Sequence, residues 1–398
     1  MNEAIVNNAA KKVCMLTTVS ATMKTFILEQ AKYQQARSNG ALDITLVCSP
    51  DPAFEKLVPG ALRFVPIETT RGMSLSAVRS IWALYRFFRD EKFDMVHYIT
   101  INVSFCASIA ARLARVPVRL YSQWGLRFQG FTGLRRKLML LVEKAICRNS
   151  TFVTTDSRDS LAICRALGIY GENNSAVVWN GSPNGIDFNK FDLAKKPLWR
   201  REKRAELGVP EEAFAFGYMG RITRDKGINE LFSAAKIILE KYPEAHLIII
   251  GPKDNAEPIC EDRFNWSLTQ ERIHYTGFTT QVERYASALD VSILPSYREG
   301  FGNVIIEAEA MEVPVIVTNI SGARTAMKDG ETGLLVEVKS VEALVSAMER
   351  LYQNPGERLR MGKNGPAFVR GSFDQQILYE KKLEVKYRLL GLPYPPEK

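Results

Sequence analysis

The chain has 398 residues, of which 46% are hydrophobic and 24% charged, with a formal charge of +9. That composition excludes a disordered, collagenous or disulfide-scaffold protein, and at about 100 to 200 residues per domain it leaves room for two or three domains. Glu3 lies near the start with no basic stretch ahead of an apolar one, and no apolar run approaches the ~18 residues of a membrane span, so neither secretion nor a spanning helix is expected.

In chain order, the apolar run Lys12–Thr18 reads as a strand, Met23–Ser38 as a helix and Asp43–Cys48 as a second strand, a β-α-β start. Further strands are predicted at 62–66, 94–98, 117–121, 151–155 and 176–179, with helices near 75–91, 103–115, 133–148 and 157–167. The second half repeats the alternation. Strands are expected at 214–219, 245–250, 272–276, 290–294, 313–317 and 333–336, and helices near 227–241, 281–287, 303–311 and 340–353. Phe373–Leu390 reads as one closing amphipathic helix. Such alternation implies parallel sheets covered on both faces, hence two doubly wound α/β domains. Periodicity lapses between about 185 and 200, where Gly, Pro and Asn give way to the polar, basic stretch 194–204 read as a linker. The expected division is 1–190, 191–371 and a terminal helix in 372–398.

Six cysteines, at 14, 48, 106, 147, 164 and 260, form no C-x-x-C pair, and three histidines complete no zinc spacing. Buried thiols in a reducing cytoplasm are the expectation. The charge is unevenly placed: residues 1–195 carry 25 Lys+Arg against 15 Asp+Glu, and residues 196–398 carry 28 against 29. Within 101–150 stand nine basic residues and one acid, Glu143. The excess marks a surface for an anion, whether phospholipid, polyphosphate or nucleic acid.

The chemistry concentrates in two elements of the second half. In Ser296-Tyr-Arg-Glu299-Gly300-Phe301-Gly302-Asn303-Val304-Ile-Ile-Glu307 a strand leads through a glycine-containing loop into a helix. The free peptide N–H groups at its start suit a phosphate, while Glu299 and Glu307 accept hydrogen bonds from hydroxyls. In Gly220-Arg221-Ile-Thr-Arg-Asp-Lys226-Gly227 a strand and glycine are followed by Arg221 and Lys226 ahead of a helix, cations spaced for a diphosphate. Taken singly, each is equally a helix-start loop or a basic turn in solvent. The dinucleotide pattern G-x-G-x-x-G is absent.

Together these elements resemble the retaining glycosyltransferases of the family 4 type. Also matching are HLIIIG at 246–251, YTGF at 275–278, VPVIVTN at 313–319, DGETGLLVE at 329–337 and, more weakly, FDMVHYIT at 93–100 and NGSPNGIDFNKF at 180–191. In detail the pattern is similar to bacterial enzymes of capsule, O-antigen or other lipid-linked glycan assembly. The resemblance implies a GT-B fold: two Rossmann-like domains facing a central cleft, the first binding the acceptor, the second the nucleotide sugar, and the last helix crossing back to the first. It implies catalytic or donor-binding roles for Gly220, Arg221, Lys226, Glu299, Gly300, Phe301, Gly302, Asn303, Val304 and Glu307. Arg221 and Lys226 would meet the diphosphate, Glu299 the sugar hydroxyls and Glu307 the ribose. With no D-x-D pair, the reaction is expected to need neither metal nor cofactor. UDP is the expected nucleotide, and the expected acceptor is a glycan or a polyprenyl-diphosphate-linked one.

One departure stands out. Relatives carry a His-Gly pair where this chain has Gln123-Trp124-Gly125. Ser20, His97, Gln123 and Trp124 are therefore candidate sugar or acceptor contacts, although His97 and Trp124 equally read as packing residues. Phe131, Leu134, Leu138, Leu141, Val142 and Ile146 fall at helical spacing among Arg135, Arg136, Lys137, Lys144 and Arg148. That is a basic amphipathic helix able to lie on anionic lipid, or else a core helix with a solvated flank. The expected location is the cytoplasm, peripheral on the inner face of the membrane, with no nucleic-acid partner. Other sugar-nucleotide chemistry on this architecture, an epimerase or a phosphorylase, and a non-catalytic membrane-binding protein are the competing readings.

Overall fold

Residues 9–69, 75–254 and 257–395 are described by the computed structural model; the Glu3 segment lies outside them. In it the short apolar runs become two all-parallel sheets. The first holds β1 (Lys11–Leu16), β2 (Leu42–Cys48), β3 (Arg63–Pro66), β4 (Met95–Ile99), β5 (Val118–Gln123), β6 (Phe152–Thr155) and β7 (Ser175–Val177), in the order β3-β2-β1-β4-β5-β6-β7. The second holds β8 (Phe214–Met219), β9 (Ala245–Ile250), β10 (Ile273–Gly277), β11 (Val291–Leu294), β12 (Val315–Thr318) and β13 (Gly333–Val336), in the order β10-β9-β8-β11-β12-β13. Every residue of β4, β9, β11 and β12 is buried. Helices therefore cover both faces, which is why these strands read as mostly apolar runs and not as alternating ones. The order reverses beside β1/β4 and beside β8/β11, where parallel pairs such as Met15 with His97 and Phe216 with Val291 lie in register.

The chain divides into two compact units, one of residues 1–184 with 376–398 and one of 185–375, so the last helix belongs with the first sheet. Its Leu383 and Tyr387 are buried in the core beneath β1, β2 and β4.

Two expectations need correcting, and one helix was not foreseen. The stretch 194–204, read as linker, lies mostly in a helix, Lys196–Leu207, with Pro197 in its first turn and Gly208 closing it at φ 71°. Its charge hides a buried residue. Arg204 is 1% exposed and donates to the carbonyls of Ala288, Pro210, Glu211 and Ala213 and to Asp290, which makes its burial tolerable. Residues 355–373 form a helix that glycines and Pro366 disguise. A Cβ at Gly365 would stand 2.5 Å from the Glu309 carbonyl oxygen and one at Gly362 2.7 Å from that of Glu312, so the glycines permit close packing. The closing helix consequently starts at Gln375, after a break at Asp374.

The basic helix runs Gly133–Asn149 and buries Val142, Glu143, Ile146 and Cys147. Its expected single stripe is split, because Leu134, Leu138 and Leu141 are 82%, 44% and 63% exposed. Arg135, Arg136 and Lys137 are exposed beside them. Five of the six cysteines are buried and all are free thiols.

Candidate active site

In a doubly wound sheet, ligands bind beyond the carboxyl ends of the strands where strand order reverses. In the second unit those ends belong to β8 and β11, and the two chemistry-bearing loops are the ones that follow them. After β8 the chain passes Gly220 and a 3-10 turn, Arg224–Lys226, then enters the helix Ile228–Lys241. After β11 it passes Ser296–Gly302 and enters the helix Asn303–Ala310.

Side chains lock the two loops together. Lys226 Nζ lies 2.5 Å from Glu299 Oε1, with side-chain exposures of 18% and 11%. Ser296 Oγ donates to the same carboxylate oxygen at 2.8 Å. The Tyr297 N–H donates to the Asp225 carbonyl at 2.8 Å, and the Arg298 guanidinium pairs with the Asp225 carboxylate at 2.9 Å and with Glu257 at 3.0 Å. Thr223 Oγ1 completes the Asp225 carboxylate at 2.6 Å. Thr318, at the end of β12, donates to the Ser296 carbonyl at 2.5 Å. Asp225, Tyr297 and Arg298 were not expected among the site's residues, since nothing local in the sequence signals that the partners of each lie on the other loop.

Arg221 occupies the outer part of the same turn, half exposed, with Nη1 2.6 Å from Asp254 Oδ2. Both cations proposed for a diphosphate thus have carboxylate partners. Gly302, at φ 89°, begins the helix Asn303–Ala310 without a side-chain cap, so the positive end of the helix dipole meets no capping side chain there. Gly300, Asn303 and Val304 are partly exposed there. The Phe301 side chain is not available: it is 2% exposed and packs edge-on against Phe373 at 5.1 Å. Only its backbone can serve a ligand.

Glu307 sits one turn into that helix, partly exposed and without a hydrogen-bond partner among the described residues. Burial, opposed by Lys190 and assisted by Glu283, pushes its carboxyl from the usual 4.5 up to about 7. An acid so placed costs the ligand-free unit stability as pH rises from 4.5 through 7, because ionisation is unfavourable in the fold. Hydroxyl donors would reverse that preference.

In the first unit the candidates separate. Ser20 donates to Asp51, whose carboxylate also caps the turn at Ala53 and Phe54 and is held below its usual range. Trp124 is partly buried edge-on to Phe26 at 5.3 Å. Gln123 is wholly buried; its amide donates to Glu143 at 2.6 Å and accepts from the Tyr170 hydroxyl at 3.0 Å, which leaves it no free surface. His97 is 5% exposed, bonded to Ser122 at 2.8 Å, and burial holds it well below its ordinary value, hence neutral. It lines a cavity of about 20 Å³ with Lys382 and Lys386 of the closing helix, room for about one water. Thr100 was not anticipated. A β-branched residue at φ 71°, it ends β4 where strand order reverses, its hydroxyl 3.2 Å from that of Thr18.

Residues 200–368 match the family described as Glycosyl transferases group 1, and residues 12–157 the one described as Glycosyl transferase 4-like. The chain is 31% identical, over 95% of its length and 97% of the relative's, to the capsular polysaccharide biosynthesis glycosyltransferase CapM of Staphylococcus aureus. It belongs to the family 4-type glycosyltransferases. A UDP-Gal:α-D-GlcNAc-diphosphoundecaprenol α-1,3-galactosyltransferase of Escherichia coli is 27% identical over 79% of this chain and 81% of its own. Among solved structures, Anabaena HepE in complex with UDP and glucose superposes with a TM-score of 0.75 at 19% identity, covering 95% of this chain and all of that one. The glycosyltransferase has the GT-B fold. Among its described residues no helix is long and apolar enough to cross a membrane.

Proposed function

We propose that this glycosyltransferase takes a UDP-sugar and transfers the sugar, with retention of configuration, to a lipid-linked glycan during surface polysaccharide assembly. The observation that carries the reading is the pairing of the β8 and β11 loops through Lys226 and Glu299 at the point of strand reversal. The named activities of the S. aureus and E. coli relatives and the UDP bound by HepE support donor, acceptor and process. On this reading the sugar–phosphate bond breaks as Lys226, Arg221 and the helix start at Gly302 receive the growing negative charge. Glu299 holds the sugar, and Glu307 the ribose. The acceptor oxygen bonds to the same face of the sugar carbon, and its proton passes to the departing phosphate. The diphosphate charge is met by side chains and peptide dipoles, so metal and cofactor are not required.

The test is a panel of nucleotide sugars with and without polyprenyl-diphosphate-linked acceptors, in excess EDTA, reading released nucleoside diphosphate and the anomeric configuration of the product. Release of UDP with retained configuration is expected. An inverted product, a strict magnesium or manganese requirement, or no transfer from any donor would refute the corresponding element of the proposal.

Glu307 gives a pH prediction. Donor hydroxyls favour its carboxylate, so binding a UDP-sugar at pH 6 should release close to one proton, and affinity should be about tenfold higher at pH 8 than at pH 6. Calorimetry in buffers of different ionisation enthalpy measures both. Glu307→Gln should abolish the dependence; a pH-independent affinity in the parent would remove Glu307 from the donor site.

The helix Gly133–Asn149 is proposed as the membrane-facing element, because it exposes Leu134, Leu138 and Leu141 beside Arg135, Arg136 and Lys137; Lys144, partly buried, stands further along it. Each basic residue near an anionic surface contributes about 1 kcal/mol, screened beyond about 10 Å at 0.1 M salt. Replacing Arg135, Arg136 and Lys137 by Glu should abolish co-sedimentation with anionic liposomes and leave donor hydrolysis intact. Sedimentation equal to the parent's would assign the helix to solvent.

A further inference from the structure

An open pocket of about 260 Å³ lies in the second unit at the opposite ends of the strands that carry the donor loops. Asp290, immediately before β11, and Pro314, immediately before β12, form part of its wall. Six residues at ~3.3 Å each place Asp290 about 20 Å from Ser296, so this pocket is separate from the donor site.

Its charge is unbalanced. Lys196, Arg200, Arg358 and Lys363 line it against two acids, Asp290 and Glu312. Asp290 is already saturated: Oδ1 accepts from Arg200 at 2.9 Å, and Oδ2 from Arg204 at 2.8 Å and from the Ala215 N–H at 2.7 Å. Glu312 lies 4.0 Å from Lys196, at the limit of an ion pair. Arg358 and Lys363 have no carboxylate partner among the described residues. The Arg358 guanidinium is held in place, stacked 4.8 Å over Phe214 with Nη1 donating to the Leu351 carbonyl at 2.6 Å, and so is presented as a fixed donor. Lys196 and Arg358 each stand in the first turn of a helix, where peptide dipoles add positive potential. Burial lowers both, Lys196 to about 8, the direction expected of cations lacking a sufficient counter-charge.

We infer that this pocket is a second anion site, built for a phosphate-bearing small metabolite of about hexose phosphate size. Drug-sized ligands occupy about 300–1,000 Å³, and a nucleotide sugar would exceed this space. Two unpaired cations and a third weakly paired one match a phosphate dianion, whose oxygens accept from Arg358, Lys363 and Lys196 together. Leu359, 60% exposed, gives an apolar surface for the remainder of the molecule.

The experiment is calorimetric titration of the full chain with glucose 6-phosphate and, separately, with inorganic phosphate, in the parent and in Lys226→Ala, which weakens the donor-side phosphate seat. Equal saturable binding in these two proteins is expected. Lys363→Glu, at an exposed residue that holds nothing in the fold, should weaken it at least tenfold, and so should Lys196→Gln. Hydrogen exchange should show ligand protection at 196–200 and 355–363. Stronger binding of the hexose phosphate than of inorganic phosphate would confirm an organic ligand; equal binding would restrict the site to the phosphate ion. Unchanged affinity in both Lys363→Glu and Lys196→Gln, loss of binding in Lys226→Ala, or no binding at millimolar concentrations would overturn the inference.

Discussion

Lys226→Ala is expected to lower kcat by about 10²–10³, the cost of removing one preorganised charge from a developing anion, with a much smaller change in KM. The size follows from placement. Lys226 is mostly buried, fixed by Glu299 and by a loop that Asp225 and Arg298 hold to its neighbour, so little reorganisation is needed when the leaving diphosphate accumulates charge. The substitution also leaves Glu299 with Ser296 as its remaining partner, which would disturb the sugar contact. The double variant Lys226→Ala/Glu299→Gln separates these effects: if leaving-group stabilisation alone is lost, Glu299→Gln adds its own full defect, whereas a sugar contact already disturbed leaves it little to add. Turnover within a factor of three of the parent in Lys226→Ala would remove the lysine from the chemistry.

The alternation of the second half was legible because β8, β9, β11 and β12 are buried on both faces and are mostly apolar. The loops after β8 and β11 stood out as candidates only in combination, since either glycine-led turn alone is equally a helix start in solvent. What fastens the loops was not legible. Asp225 and Arg298 look like solvated charges until the fold brings them to 2.9 Å. The helices at 196–207 and 355–373 were hidden by similar means, one by a charged residue whose hydrogen bonds all leave its helix, the other by glycines that serve contact with a neighbouring backbone. In the first unit, Gln123 is a polar residue at a strand end and invites a ligand role, yet its partners, Glu143 and Tyr170, come from segments 20 and 47 residues away. No local pattern encodes such partners.

Gly227→Ala tests whether the spacing of the two loops proposed to bind the donor is set by their backbones. Gly227 is at φ 70°, and a Cβ there would stand 1.9 Å from the Pro295 carbonyl oxygen at the end of β11, a contact that only displacement of one loop can relieve. Overpacking of about 1–3 kcal/mol and a left-handed conformation of about 1–2 kcal/mol give an expected destabilisation of about 2–5 kcal/mol. The second unit's thermal transition should then fall by roughly 5–15 °C. Displacement of Lys226, the adjacent residue, by about 1 Å should lower kcat about 10²-fold even where the protein remains folded. Asn tolerates a positive φ better than Ala does but carries the same Cβ. If the contact with Pro295 dominates, Gly227→Asn should be as damaging as Gly227→Ala. If Gly227→Asn were close to the parent in both transition temperature and turnover, the backbone angle alone would be the constraint, and the loops would be spaced by Lys226–Glu299 and Arg298–Asp225 in place of the glycine.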